Sequence, residues 1–316
     1  MTNGKLRLGG FYRSLPMMAA EQQGFYERHG VEVEFGQVTS STQQFQFLSD
    51  GQYDVVQTSP DNTANYRLNA NNPIGKTVEA QGFIGLDYGM KLIVVARPEF
   101  DTVESLKDQA ISVDALASGF AYVIYKILAE HGLERNHDYR VVSHGGVYDR
   151  FMALVVNDED FAATLMSGGF ETRAANLGFN LLDSVLDIAN PYLGVWAAAR
   201  ADWLTANRQL AVHFIRAYQQ ATDWVFEPSN KDQCLEMLEA IPNTNQDLAE
   251  QLYEIQVTPG VGNVPDSSID PRAVLNVLLI RQEFDGFEEP QDLEALVGPD
   301  TVLFDLSYRE EALGSV

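Results

Sequence analysis

The order of short apolar segments constrains this chain most, because they alternate with helix-forming segments through its first third. "KLRLGGF" (5–11), "VEVEFGQV" (31–38) and "YDVVQTS" (53–59) have the length and composition of strands. Segments with the spacing of a helix separate them, at 17–30 and at 40–51. A β-α-β-α-β order of this kind is typical of a mostly parallel sheet covered by helices.

A second series of the same kind begins at "GMKLIVVARPEF" (89–100) and continues with strands predicted at 110–114, 138–144 and 161–166. After residue 200 the pattern becomes helical, starting with one long helix predicted at 202–226. Because 316 residues exceed the usual size of one compact core, two lobes are expected. We therefore predict an α/β fold of two lobes with a helical C-terminal segment.

The composition excludes several classes of partner. The chain carries 45 acidic and 21 basic residues, a formal net charge of -24, which disfavours nucleic acid and anionic lipid. No run approaches the roughly 20 apolar residues of a membrane span, so no membrane insertion is predicted. The lone cysteine, Cys234, has the spacing of an apolar helix residue, and zinc-binding Cys/His patterns are absent. We predict no metal and no cofactor.

The first residues bear on the compartment. "MTNGKLRLGGFYRSLP" has no basic segment followed by an apolar stretch, so it is not a secretory leader. We expect a periplasmic or extracellular protein if a leader has been removed, and a cytoplasmic one if the chain is complete as given.

Candidate site residues follow the predicted strands. In open parallel sheets, ligands bind beyond the carboxyl ends of the strands, next to helix N-termini that suit anions or polar groups. Hydroxyl residues and glycines recur at these positions. The candidate ligand-binding residues are Tyr12, Arg13, Ser14, Ser40, Ser41, Thr42, Ser59, Asp61, Asn62, Tyr88, Asp114, Ser118, Gly119, Phe120, His144, Gly145, Ser167 and Phe170.

Each type of candidate also has a structural interpretation. Ser40 and Ser118 are equally well explained as helix caps, and Asp61 as a carboxylate that stabilises a helix N-terminus. The aromatic candidates fit a core as well as a stacking surface. His144, in "RVVSHGGVYDRF", has three open roles, namely a hydrogen bond to a ligand, a structural contact, or proton transfer in a catalytic site.

Four stretches in the same order resemble the SsuA/THI5-like branch of the type 2 periplasmic binding protein fold, which includes solute receptors of ABC importers. They are "LRLGGFYRSLPMMAAEQQGFYERHGVEVEF", "FLSDGQYDVVQTSP", "VESLKDQAISVDALASGFAYVIYKILAEHGL" and "NDEDFAATLMSGGFETRAANLGF". The resemblance implies one lobe of residues 1–95 plus 198–316, a second of 96–197, and a central ligand cleft that closes by hinge motion. It assigns ligand contact to the same loops.

The resemblance implies a binding protein that captures a small organic solute and delivers it to an ABC permease, as a monomer or small homo-oligomer. "MSGGFE" replaces the Glu-Pro-like pair common in the family, and "PDN" follows the third strand where small residues are common. The residues expected near the cleft are the acidic Asp61, Asp87, Asp114 and Glu171, the aromatic Tyr12, Tyr88, Phe120, Tyr148 and Phe170, and the cations Arg13 and Arg150. This mixture fits an aromatic or heteroaromatic ligand with a donor group better than a lone anion.

An enzyme on the same fold is the alternative. With no leader and a histidine at a strand end, the chain is also compatible with a cytoplasmic enzyme that performs cofactor-free proton transfer, decarboxylation or related lyase or hydrolase chemistry on a small aromatic acid. His144 is then the candidate catalytic residue. Fold alone does not decide between the two functions.

Overall fold

The computed structural model describes residues 4–89, 91–156 and 161–314. The strands are β1 (Gly4–Gly10), β2 (Val31–Gln37), β3 (Val55–Thr58), β4 (Ala80–Asp87), β5 (Ile93–Ala96), β6 (Ala110–Val113), β7 (Arg140–Ser143), β8 (Ala163–Met166), β9 (Asn180–Ser184) and β10 (Val195–Arg200). The helices are α1 (Leu15–Gln22), α2 (Phe25–Arg28), α3 (Ser41–Ser49), α4 (Pro60–Leu68), α5 (Gly119–Glu130), α6 (Val147–Val156), α7 (Phe170–Asn176), α8 (Val185–Ile188), α9 (Ala201–Ala206), α10 (Arg208–Phe226), α11 (Lys231–Glu239), α12 (Gln246–Val257), α13 (Pro271–Glu283), α14 (Leu293–Val297) and α15 (Ser307–Leu313).

The strands form two five-stranded mixed sheets, ordered β2-β1-β3-β10-β4 and β7-β6-β8-β5-β9. In the first sheet β1 runs parallel to β2 and β3, and β10 is antiparallel to β3 and β4. In the second, β6 runs parallel to β7 and β8, and β5 is antiparallel to β8 and β9. The predicted α/β fold with two strand-and-helix series is confirmed.

Helices cover both faces of each sheet, which explains why the short central strands are mostly apolar and fully buried. Every residue of β3, β5, β6 and β8 is buried, as expected for strands covered on both sides. On one face of the first sheet Leu8 packs in a cluster with Phe214 of α10, and on the other Val56 packs with Val274 of α13. The C-terminal helices therefore complete the core of the first sheet.

The chain passes between the sheets twice, and the two passages touch. It leaves the first sheet after Asp87 and enters the second at Ile93, then returns between Ser184 and Val195. A Cβ atom on Gly194 would lie 2.2 Å from the Cα atom of Gly89, so the two backbones are in direct contact. We propose that the boundaries between the two lobes lie within these passages. The boundaries given from the sequence, between residues 95 and 96 and between residues 197 and 198, stay a prediction.

Two helices expected to be continuous are interrupted. The segment predicted as one helix at 17–30 breaks at Gly24, which adopts a left-handed conformation with φ of 70° between α1 and α2. The segment at 202–226 breaks at Asn207, whose φ of -119° separates α9 from α10. In both cases the apolar spacing continues across the break, so periodicity alone does not reveal it. Across the described ranges, no helix is long and apolar enough to cross a membrane.

Candidate functional site

A cavity of about 330 Å³ is lined by loops that follow strands of both sheets. Its volume lies near the lower end of the roughly 300–1,000 Å³ typical of small-molecule sites. The loops after β1, β2 and β3 reach it from the first sheet, and those after β6, β7 and β8 from the second. Carboxyl ends of parallel strands meet there, as the position of ligand sites in open sheets predicts.

Most of the residues singled out from the sequence lie in the wall of this cavity. They are Tyr12, Ser40, Ser41, Thr42, Ser59, Asn62, Asp114, Ser118, Gly119, Phe120, Gly145, Ser167 and Phe170. The structure brings these side chains together from both sheets. Their contact with a ligand stays a prediction.

Three serines in the wall also cap helices. The Oγ atoms of Ser40, Ser59 and Ser118 each accept the backbone N–H of the third residue further on, at 3.0–3.1 Å, at the starts of α3, α4 and α5. The two interpretations of Ser40 and Ser118 are therefore compatible. The capped helix starts direct partial positive charge at the cavity, which suits an anionic or polar group.

Arg13 and Ser14 lie away from the wall although they directly follow Tyr12. The Arg13 guanidinium donates to Glu21 at 2.8 Å and lies over the ring of Phe35, 5.2 Å from its centroid. Ser14 is buried and caps α1, accepting a hydrogen bond from the N–H of Met17 at 3.4 Å. Successive residues after a strand point in different directions, so of Tyr12, Arg13 and Ser14 only Tyr12 lines the cavity.

Asp61 also lies behind the wall. Both of its carboxylate oxygens are 3.0 Å from Nη1 of Arg281, on α13, and both residues are 1% exposed. It contacts Gly119, where an added Cβ would lie 2.7 Å from the Asp61 side chain. The carboxylate is therefore committed to an ion pair with Arg281 behind the cavity wall, a contact that was not predicted.

Tyr88 and His144 complete the set outside the wall. Tyr88 packs against the apolar cluster between the first sheet and α13. Nδ1 of His144 is 2.8 Å from Oγ of Ser112, and its ring lies 5.0 Å from that of Phe161. The next residues along the chain, Gly145 and Gly146, line the cavity instead. These contacts match the structural role considered for His144.

Several lining residues were not predicted. Gln57 and Thr58 lie within β3 rather than after it, Val195 begins β10, and Gly194 directly precedes it. Because β10 is antiparallel to β3 and β4, its amino end lies at the same edge as their carboxyl ends. Nothing local in the sequence indicates that return strand's direction.

Asp87, at the end of β4, is the most buried acidic residue of the wall, with 1% exposure. Its Oδ1 accepts the backbone N–H of Gly89 at 2.8 Å. Burial raises the pKa of Asp87 to about 7, an effect that the Gly89 hydrogen bond partly offsets. Near the cavity, Glu171 is similar: burial raises its pKa to about 7, and Oε2 accepts the N–H of Gly169 at 3.0 Å.

Arg150 is a buried cation in the same wall. Its guanidinium donates to Oγ1 of Thr164 at 2.9 Å and to the carbonyls of Gly145 at 2.5 Å and Leu165 at 3.0 Å. These bonds tie the loop after β7 to strand β8. They also leave its positive charge without a carboxylate ion pair in the described residues, so Arg150 favours negative charge in the cavity.

The remaining reactive groups lie elsewhere. Cys234 is buried in the core, and burial raises the pKa of its thiol to about 12. His131, at the end of α5, bridges two carboxylates, with Nδ1 2.7 Å from Glu104 and Nε2 2.6 Å from Asp183. Hydrogen bonding to Glu104 is the main reason that the pKa of His131 is raised. In the portion that the structure describes, no group of His, Cys, Asp and Glu is placed to hold a metal ion.

Comparison with solved structures shows the fold. The nitrate-binding protein NrtA of Synechocystis PCC 6803 has a TM-score of 0.81 at 14% identity, covering 98% of this chain and 89% of its own. A protein of Bordetella bronchiseptica RB50 scores 0.74 at 18% identity, with coverages of 98% and 97%. The alkanesulfonate-binding protein SsuA of Xanthomonas axonopodis pv. citri, bound to MOPS, scores 0.69 at 15% identity, with coverages of 90% and 92%.

These likenesses confirm the predicted type 2 periplasmic binding protein fold. No match was found among curated proteins. A family model described as the periplasmic substrate-binding protein of phosphonate ABC transporters matches residues 23–192, more than half of the chain. The chain therefore belongs to this family of periplasmic substrate-binding proteins of ABC transporters.

Proposed function

We propose that this protein captures a small organic solute in the cavity between its two sheets and delivers it to the permease of an ABC importer. The solute is aromatic or heteroaromatic and carries a hydrogen-bond donor. The observation that carries this proposal is the composition of the cavity wall, which combines aromatic side chains with carboxylates from both sheets.

The aromatic part of the proposal rests on four side chains. Phe11, Tyr12, Phe120 and Phe170 line the cavity, the first two from the first sheet and the others from the second. Rings that face a cavity from two sides favour a flat apolar ligand between them. Phe170 is itself held by Phe151, at a ring-centroid distance of 5.4 Å, which fixes this wall before a ligand arrives.

The hydrogen-bond donor proposed on the ligand is inferred from the charged residues of the cavity wall. The names of the family and of the similar structures point to phosphonate, nitrate and alkanesulfonate, all oxyanions. Helix starts and Arg150 suit an acidic group of that kind. Asp87 and Asp114, however, also line the cavity, and their negative charge disfavours a ligand that is only an oxyanion. A solute with a donor group accounts for both sets of residues.

The direct test is to identify what the protein binds. Mass spectrometry of the natively purified protein would reveal any retained solute, and thermal unfolding against a panel of amino-substituted aromatic acids, alkanesulfonates, phosphonates and nitrate would rank solutes. A ligand at a free concentration of about 100 times its Kd stabilises the folded state by about 2.7 kcal/mol. Stabilisation only by small sulfonates or sulfate would contradict the aromatic proposal, and turnover of the bound solute would contradict the transport proposal.

A matched pair of variants tests whether the cavity is the site. Ser118 and Ser14 both cap a helix through Oγ, but only Ser118 lines the cavity. Ser118→Ala and Ser14→Ala should each lose about 0.5–2 kcal/mol of stability through the lost cap. Only Ser118→Ala should weaken binding of the identified solute in calorimetry. Equal affinities in the two variants would place the site elsewhere.

The contacts of the candidate catalytic residue do not support the enzyme alternative. His144 lies outside the cavity wall with its ring against Phe161, and the Cys234 thiol is buried in a different part of the fold. We therefore propose the transport function alone.

A further inference from the structure

Asp87 has a buried acceptor atom that no described residue satisfies. Its carboxylate is 1% exposed and lies in the cavity wall. Oδ1 accepts the Gly89 N–H at 2.8 Å, but Oδ2 has no hydrogen-bond partner in the described part of the chain. Buried polar atoms are nearly always paired, so an unpaired carboxylate oxygen beside a cavity indicates a missing donor.

The protein's cations near the cavity do not supply that donor. Arg150 donates to Thr164, Gly145 and Leu165, all on the side of the second sheet. Arg13 is paired with Glu21 outside the cavity. Within the described ranges Asp87 therefore has no ion pair, although burial makes an unpaired carboxylate unfavourable.

A second unpaired acceptor lies on the same sheet. Gln57 also lines the cavity and is buried, and its Oε1 has no partner among the described residues. Gln57 pairs with Ala197 of β10 and Asp87 pairs with Val195, so the two residues flank the beginning of that strand. Two lining residues on the first-sheet side thus each have an acceptor atom without a donor among the described residues.

We propose that Asp87 is the specificity-determining residue for a cationic nitrogen on the ligand, a primary ammonium or an amidinium, which donates to Oδ2. This inference rests on the proposed function and adds the chemical class of the donor group. Tyr12, whose ring also lines the cavity and is 37% exposed, provides an aromatic face on which such a cation is favoured. The acidic or ring portion of the ligand lies toward Arg150 and the helix starts.

The test compares probes that differ in charge. Benzylammonium is the cationic probe, benzyl alcohol the neutral one of similar size, and phenylmethanesulfonate the anionic one; calorimetry or ligand-observed NMR gives the Kd values. We expect the wild-type protein to prefer benzylammonium to benzyl alcohol by about tenfold or more, as a charge-assisted hydrogen bond in a buried site implies. Preference for phenylmethanesulfonate over benzylammonium would mean that the positive charge of Arg150 and the helix starts, rather than Asp87, selects the ligand, which would overturn the proposal.

Two variants that replace a carboxylate with an amide of the same size test which residue causes the preference for the cationic probe. Asp87→Asn keeps an oxygen for the Gly89 N–H, so it should fold, as thermal unfolding will verify, and its preference for the cation should fall to within about twofold. Asp138→Asn alters a buried carboxylate that is not among the residues lining the cavity and that likewise accepts a backbone N–H, from Glu134 at 2.9 Å, so it should retain the preference. Retention of the preference in Asp87→Asn, or its loss in Asp138→Asn, would overturn the assignment.

Failure of this inference is distinct from failure of the transport proposal. If the protein binds a solute from the wider panel but shows no preference for the cation, Asp87 is not a cation site and the proposed function stands. If no solute of the panel binds and none is retained on purification, both proposals fail.

Discussion

Removing Asp61 should destabilise the protein more than removing any exposed acidic residue. The Asp61 carboxylate lies in the first turn of α4, and its two oxygens are 3.0 Å from Nη1 of Arg281. Nη2 of Arg281 donates to Oδ1 of Asn65 at 2.5 Å. The side chains of Asp61 and Arg281 are each 2% exposed. Asp61→Ala would therefore leave a guanidinium buried without its counter-charge.

The expected magnitude follows from burial rather than from distance. Breaking a buried ion pair by removing one partner costs about 3–5 kcal/mol, because the remaining charge is uncompensated. The pair of Lys5 and Glu34 is shorter, at 2.7 Å, but both side chains are more than half exposed. Glu34→Ala should therefore cost about 0–1 kcal/mol. Typical total stabilities are about 5–15 kcal/mol, so Asp61→Ala would remove a large share.

Urea unfolding, monitored by tryptophan fluorescence and circular dichroism, gives the free energy of unfolding of Asp61→Ala and Glu34→Ala. The double variant Asp61→Leu, Arg281→Met replaces the pair with apolar groups and should recover most of the loss, since such replacements are often neutral or stabilising. A loss in Asp61→Ala no larger than that in Glu34→Ala would refute the reasoning. The reasoning would also be refuted if the double variant lost as much stability as Asp61→Leu alone and Arg281→Met alone added together, because that result shows no coupling between the two residues.

Three further predictions rest on single residues. Gly119→Ala should cost about 1–3 kcal/mol in urea unfolding, because its Cβ would lie 2.7 Å from Asp61, whereas Gly146→Ala, with an ordinary 3.6 Å contact, should change stability by less than about 0.5 kcal/mol. The raised pKa of His131 means that its two ion pairs contribute fully below its unfolded pKa and less as pH rises through the folded value, so His131→Gln should lose more stability at pH 5.5 than at pH 8.5; an equal loss would contradict this. Cys234, with a thiol pKa raised by burial to about 12, should react with a thiol reagent at pH 8 only as fast as the protein unfolds, and faster labelling of the folded state would contradict its burial.

The arrangement of the site could be predicted from the sequence because it depends on the ends of strands. In a parallel sheet the carboxyl ends meet at one edge, so the residues after β1, β2, β3, β6 and β8 had to converge. Ser40, Ser59 and Ser118 were found in this way. The same residue types begin helices, and the structure shows that capping and lining the cavity are compatible.

What could not be predicted is the direction of individual side chains and the contacts made over long separations. His144 and Gly145 are neighbours in sequence, but only Gly145 lines the cavity. Asp61 is held by Arg281, 220 residues further along, and no local pattern links them. The lining by Val195 depends on β10 inserting antiparallel between β3 and β4, which is a property of the whole sheet.

The contact between Gly89 and Gly194 has a mechanical consequence for how a solute enters. Both passages between the sheets meet there, and we propose that a rotation of one lobe against the other has its axis at this point. Displacement grows with distance from an axis. Asp87 and Val195 lie within two residues of it on the same sheet and would keep their mutual geometry at every degree of opening, whereas loops far from the axis would separate. A solute would then meet a preformed anchor first, and the rest of its binding surface would assemble around it as the lobes close.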